Sequence, residues 1–112
     1  MKKIEAIIRS SKFEEVKDAL SEIGINFFTF SEVKGYGKQQ GKHVVYRGAV
    51  YDVGYIARLK LEIIIPDNSL EQVVKVIRSA AATGEVGDGK ILILPVEKII
   101  RIRTGELDES AI

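Results

Sequence analysis

The stretch TGEVGDGKILIL, Thr83 to Leu94, holds the residue types that bind anions. Successive backbone N–H groups across Gly87-Asp88-Gly89-Lys90 can form a nest for a phosphate, and Lys90 adds a point charge. Near the end of the chain, RIRTGE carries Arg101 and Arg103 about Ile102. In an extended chain both guanidinium groups would project from one side, and their forks match phosphate oxygens. Together the two segments point to a polyphosphate ligand such as a nucleotide. Taken alone, the glycines suit equally well a helix C-cap at Gly84 and a tight turn at Asp88-Gly89, and RIR suits a solvated strand edge. Gly84 to Lys90 also matches G-x-x-x-x-G-K, the opening of a phosphate-binding P-loop. Two features exclude that motif. Ile91 stands where a Ser or Thr would hold magnesium. The segment also leaves a helix pattern and enters a strand pattern, the reverse of a P-loop.

Little else in the chain can do covalent chemistry. Asp88 lies inside the turn and the single histidine, His43, is remote in sequence, so no general base is evident and at most a slow residual ATPase is expected. There are no cysteines, which excludes disulfides and thiolate metal sites. Lys and Arg number 17 against 16 Asp and Glu, for a net charge of +1, without the basic excess of a protein that grips nucleic acid by its phosphates. The segment KGYG, Lys34 to Gly37, opens like an RNA-recognition signature, but Lys38-Gln39-Gln40 follow in place of its aromatics, leaving RNA binding a minor alternative. No apolar run has the length of a membrane span or the character of a signal sequence, so a cytoplasmic protein without membrane insertion is expected.

The elements that must position these residues repeat. The 112 residues suit one domain, 1–112. Ile4, Ala6 and Ile8 alternate with Glu5, Ile7 and Arg9 as in a strand. Ser11 to Glu14 has capping-box spacing, Phe13, Val16, Leu20 and Ile23 follow at helical spacing, and Gly24 suits the helix end. The aromatic-rich stretch Asn26 to Val33 predicts a second strand. The plan then recurs. Leu59, Leu61, Ile63 and Ile65 alternate up to Pro66, Ser69 and Gln72 form a second capping box, and Leu70, Val73, Val74 and Ile77 make a helix face that Gly84 closes. KILILPV is the fourth strand. A shift of 57 positions aligns Glu5 with Glu62, Ile7 with Ile64, Ile8 with Ile65, Glu14 with Glu71 and Val16 with Val73. Two βαβ halves in series predict an α+β, ferredoxin-like βαββαβ sandwich with both helices on one face of an antiparallel sheet.

Between the halves lies a segment too long for a hairpin turn, residues 35–55. It holds all four tyrosines (Tyr36, Tyr46, Tyr51 and Tyr55), His43 and five glycines, and its bases Lys38, Lys42 and Arg47 face one acid, Asp52. This composition favours a flexible interaction arm, because aromatic and Arg side chains anchor interfaces. HVVYRGAVYDV also has enough β-formers for an extended hairpin, and an arm that orders on binding satisfies both.

EVKGYGKQ, YRGAVY, TGEVGDGKI and IRIRTGE, in this order and spacing, resemble the PII nitrogen-regulatory signal proteins across nearly the whole chain. The resemblance implies a homotrimer with nucleotide sites between subunits, where ATP and ADP compete. It implies that Gly87, Asp88, Gly89 and Lys90 (the 83–90 loop) wrap the phosphates and that Arg101, Ile102 and Arg103 (the 101–105 segment) supply the arginines. Thr29 and Ile64 would line the adenine and ribose side, with Gly37, Lys38 and Gln39 at the base of the long loop. For 2-oxoglutarate it implies Gly37, Lys38, Gln39, Gly41 and position 58, with Gln39 ligating Mg²⁺ when ATP and 2-oxoglutarate are both bound. The 35–55 arm would carry Arg47 at its tip into a partner: an ammonium transporter, a nitrogen-assimilation enzyme or a transcription regulator. Tyr51 matches the uridylylation site of some members. Three residues depart from the family pattern: Arg58 replaces a usual lysine, Val50 replaces the Glu of YRGAEY, and RSSKFEE replaces a frequent Pro-Phe. The first leaves open an adenylate-charge sensor with little 2-oxoglutarate response.

Overall fold

The computed structural model describes residues 1–36, 43–46, 49–52 and 55–112, with side chains for 1–36 and 57–112. Its elements are β1 (Lys2–Arg9), α1 (Phe13–Glu22), β2 (Thr29–Tyr36), β3 (His43–Tyr46), β4 (Ala49–Asp52), β5 (Tyr55–Ile65), α2 (Leu70–Ala81) and β6 (Lys90–Pro95). The main sheet has four antiparallel strands in the order β2-β5-β1-β6, the ferredoxin-like arrangement that the repeated halves predict. The hydrophobic periodicity explains its two faces. Ile4, Ala6 and Ile8 on β1 and Leu59, Leu61, Ile63 and Ile65 on β5 are buried against Val16 and Leu20 of α1 and Val73, Ile77 and Ala81 of α2. The alternate residues, which include Lys3, Glu5, Lys60 and Glu62, stand on the face away from the helices. There Lys3 Nζ lies 3.0 Å from Glu5 and 3.2 Å from Glu62.

The helix entries differ from the expected capping boxes. Each helix is entered through a short 3-10 turn, Ser10–Lys12 or Asp67–Ser69, and neither Lys12 nor Ser69 caps with its side chain. The 3-10 turns engage Phe13 N–H and Leu70 N–H with the Ser10 and Asp67 carbonyls, leaving Ser11 and Ser69 no capping task. Glu14, the supposed box partner, pairs with Lys17 at 2.6 Å.

The second strand is also displaced, from the predicted 26–33 to Thr29–Tyr36. Its extent is set by its partner: β5 pairs with it continuously from Thr29↔Glu62 to Tyr36↔Tyr55. Phe28 falls outside the strand and packs edge-on against Phe13 at a centroid distance of 6.2 Å. Gly35, Tyr36 and Tyr55 of the long segment therefore belong to the sheet, and β3 pairs with β4 as a short hairpin, His43↔Asp52 to Tyr46↔Ala49.

Candidate functional site

The 83–90 loop leaves α2 at Ala81. Ala82 is already extended, so Gly84 does not cap the helix as expected; it lies inside the following turn with φ +85°. Asp88 organises this turn. Its Oδ2 accepts from the N–H groups of Thr83 at 2.8 Å and Gly84 at 2.9 Å, and its Oδ1 from the Thr83 hydroxyl and from Arg9 Nε at 3.0 Å. The Thr83 hydroxyl and backbone N–H, with Arg9 and Gly84, hold the Asp88 carboxyl well below the usual carboxylate range. The carboxylate is thus spent on the loop itself, and Asp88 offers an anion only its backbone N–H. The N–H groups of Gly87 and Asp88 donate to no described residue.

Gly89 has to be glycine. Its φ is +100°, and an added Cβ would lie 1.8 Å from the Ile7 carbonyl oxygen. The turn is therefore pressed against the backbone of β1 immediately before Lys90, which pairs with Ile7 and is exposed. The same Cβ position is 3.4 Å from Arg58 Nη1, and one built on Gly35 would be 2.9 Å from Arg58 Nε. Arg58 thus spans from the last residues of β2 to the glycine turn, bringing one predicted effector residue beside the predicted phosphate residues. A cleft of about 470 Å³ opens beside the turn, lined by Gly84, Asp88, Gly89 and Lys90 with Ile7 and Arg78 among its walls.

The remaining residues gather elsewhere. Thr29 and Ile64 line a second cleft of about 560 Å³ with Phe27, Phe28, Glu62, Ile99 and Ile112. Arg101 belongs to that neighbourhood, since its Nη2 donates to Ile112 O at 3.0 Å. The extended conformation expected for Arg101 to Arg103 is not formed. Arg101 N–H donates to Glu106 O at 2.9 Å, Gly105 N–H donates to Arg101 O at 2.8 Å, and Ile100 bridges to Leu107. Gly105 at φ +74° and a Thr104 hydroxyl bonded to Glu106 close this tight turn, which overrides the alternation read in RIR. Arg101 also faces Glu106 at 3.5 Å, whereas Arg103 has no ion pair among the described residues and Ile102 is fully exposed.

Within one chain, then, two groups of predicted residues lie apart. Lys90 is opposite Ile7 and Ile64 is opposite Lys3, four residues away along β1, or about 13 Å at the usual rise of a strand. Gly37, Lys38, Gln39, Gly41 and Arg47 lie outside the described residues, as does the side chain of Tyr51. Arg9 had no sequence signal, because it meets Asp88 across 79 positions of chain, whereas Thr83 stands in the 83–90 loop five residues from Asp88. Glu62 shares a face with Ile64 two residues on in β5, and Phe27 joins them because it stands just before β2, which pairs with β5 from Thr29↔Glu62. Among the described residues no cluster of three carboxylate or imidazole groups could hold a metal, and no helix is long and apolar enough to cross a membrane.

Comparison with known proteins places this geometry. The family profile described as nitrogen regulatory protein P-II matches residues 1–106. Nitrogen regulatory protein P-II of Nostoc punctiforme is 54% identical, and that of Azospirillum brasilense 49%, each over 112 residues and the whole of both chains. Nitrogen regulatory protein P-II 1 of Escherichia coli is 48% identical over the same span. Among solved structures, Arabidopsis thaliana PII bound to citrate superposes with a TM-score of 0.80 at 39% identity, covering 98% of this chain and 90% of that one. The chain belongs to the nitrogen regulatory P-II family, and is a signalling protein rather than an enzyme.

Proposed function

We propose that this protein is a homotrimeric cytoplasmic sensor of ATP, ADP and 2-oxoglutarate that regulates nitrogen assimilation through its 35–55 segment. The observation that carries the proposal is the glycine turn: N–H groups at Gly87 and Asp88 without an acceptor among the described residues, an exposed Lys90, and the Arg58 guanidinium beside Gly89. These features form one cationic, donor-rich corner suited to phosphate and carboxylate oxygens. The separation of Thr29, Ile64 and the Arg101–Arg103 turn from that corner supports a site shared between subunits. In a trimer, one copy would supply the phosphate loop and its neighbour the base-binding cleft with the arginines.

Mg²⁺ in this site would be held by the phosphates of ATP, by 2-oxoglutarate and by Gln39, all oxygen donors of the kind hard cations prefer. The described residues supply no protein-only cage for it. The ion would link effector and nucleotide. The chain's part is to orient them: the turn N–H groups, Lys90, Arg101 and Arg103 at the phosphates, and Arg58 at the distal carboxylate. Ordering of Gly37 to Gly41 by these ligands would bias the 35–55 segment between a partner-binding and a withdrawn state. Its partners would be an ammonium transporter or a nitrogen-control enzyme or regulator, with Arg47 as an anchor and Tyr51 a candidate modification site. A relative from Arabidopsis thaliana is bound to citrate, a polycarboxylate like 2-oxoglutarate.

The second proposal is an adenylate-charge sensor with little 2-oxoglutarate response. Its support is Arg58, which fills the space over Gly35 with a planar fork bulkier than a lysine. Calorimetric titration of 2-oxoglutarate with Mg·ATP and again with ADP separates the two. Binding with ATP alone establishes the carbon–nitrogen sensor, and nucleotide binding without an effector response establishes the other. Unchanged ATP affinity in both Lys90→Ala and Arg103→Ala would refute the phosphate assignment.

A further inference from the structure

We infer that Arg9 is the positioning residue of the glycine turn, holding Val86 and Asp88 so that the turn presents its N–H groups to an anionic ligand; this rests on the nucleotide site proposed above. Arg9 is the last residue of β1 and pairs across the sheet with Arg58. Two adjacent guanidinium groups repel unless one is neutralised, and the two find different surroundings. Arg9 Nε lies 3.0 Å from Asp88 Oδ1 while its Nη2 donates to Val86 O at 2.8 Å. Arg58 has no ion pair among the described residues and lies over Gly35 and Gly89. The Arg9–Asp88 pair is about three-quarters shielded from solvent on both sides, so salt screens it less than an open surface pair.

This contact does three things for the turn. It fixes residues 86 and 88 to the same strand that Gly89 touches at Ile7, so both attachments of the loop are on β1. It neutralises the Asp88 carboxylate, which would otherwise repel a phosphate at this corner. It also occupies the Val86 carbonyl, another negative dipole end, and leaves the N–H groups of Gly87 and Asp88 without an acceptor among the described residues. Neither Arg9 nor the two oxygens it holds, Asp88 Oδ1 and Val86 O, need touch the ligand.

The test uses the full chain and three variants. ATP and ADP are titrated calorimetrically into wild type, Arg9→Gln, Arg9→Lys and Asp88→Asn; adenosine is titrated by NMR shift perturbation. Amide hydrogen exchange at residues 83–89 is followed without ligand. Arg9→Gln is expected to weaken ATP and ADP by about tenfold or more, with adenosine changed by less than about twofold, because a misplaced turn loses phosphate contacts only. Exchange at Thr83 and Gly84 should quicken. Arg9→Lys should recover part of the affinity, since an ammonium can serve Asp88 but not Asp88 and Val86 together. ATP affinity unchanged in Arg9→Gln overturns the inference and leaves the nucleotide site standing. Parallel losses for ATP and adenosine would also overturn it, because they mark a general structural defect. Absence of ATP binding by wild type would refute the nucleotide site and the inference with it.

Discussion

Alanine at Gly89 and alanine at Gly84 should differ sharply although both glycines have positive φ. At Gly84, with φ +85°, an added Cβ meets nothing within 4 Å, so the cost is the backbone term alone, about 1–2 kcal/mol for an L-residue in the left-handed region. At Gly89, with φ +100°, the same Cβ would sit 1.8 Å from Ile7 O and 2.8 Å from Ile7 C, both backbone atoms that cannot swing aside. Relief requires the start of β6 to lift from β1, adding roughly 1–3 kcal/mol as in other overpacked sites. Gly89→Ala should therefore be less stable than Gly84→Ala by that second amount. For a chain of this size each 1 kcal/mol corresponds to a shift of about 4 °C in Tm. Paired thermal unfolding at equal protein concentration measures the difference, and amide shifts at Ile7 and Lys90 report the local displacement. Gly89→Ala should also lose ATP affinity more than Gly84→Ala, because it moves Lys90. Equal stability of the two variants would refute the claim that close approach to β1, rather than φ alone, dictates glycine at position 89.

Three further outcomes are expected. Arg58→Lys should tighten 2-oxoglutarate binding in the presence of Mg·ATP, since a compact ammonium is more adaptable than a bulky planar guanidinium; calorimetry that finds equal or weaker binding would refute that reasoning. Leu61→Ala, at a fully buried position in the middle of β5, should cost about 2–5 kcal/mol in denaturant unfolding, and a smaller loss would mean that the helices collapse onto the cavity. The Asp88 carboxyl is held below its ordinary value, so its stabilising contribution is fully present above the unfolded-state pKa of about 3.9 and is lost only as pH falls through the lower folded-state value. NMR titration of its side-chain carbon should show no midpoint near the ordinary carboxylate value, and Asp88→Asn should flatten the acid limb of the stability curve.

The alternation in Ile4-Ala6-Ile8 and Leu59-Leu61-Ile63-Ile65, the helical spacing of Val16-Leu20 and Val73-Ile77, and the 57-residue shift between halves determined the sandwich by themselves. Such patterns are local, and right-handed crossovers that set both helices on one face bury the rows Ile4-Ala6-Ile8 and Leu59-Leu61-Ile63-Ile65 together. The glycine turn at GDGK was equally legible, since Gly announces backbone freedom, and its anion binding is the proposal made above. Where strands and caps begin was not. β2 runs to Tyr36 because β5 offers partners that far, and the 3-10 entries displaced the capping boxes that Ser11 and Ser69 suggested. The alternation in Arg101-Ile102-Arg103 was misleading because Gly105 and Glu106 close a turn around it. Only the tertiary structure joined Arg9 to Asp88 and set Arg58 against Gly35 and Gly89. Those contacts depend on strand register and on the path of the backbone between distant segments, which no spacing within a segment records.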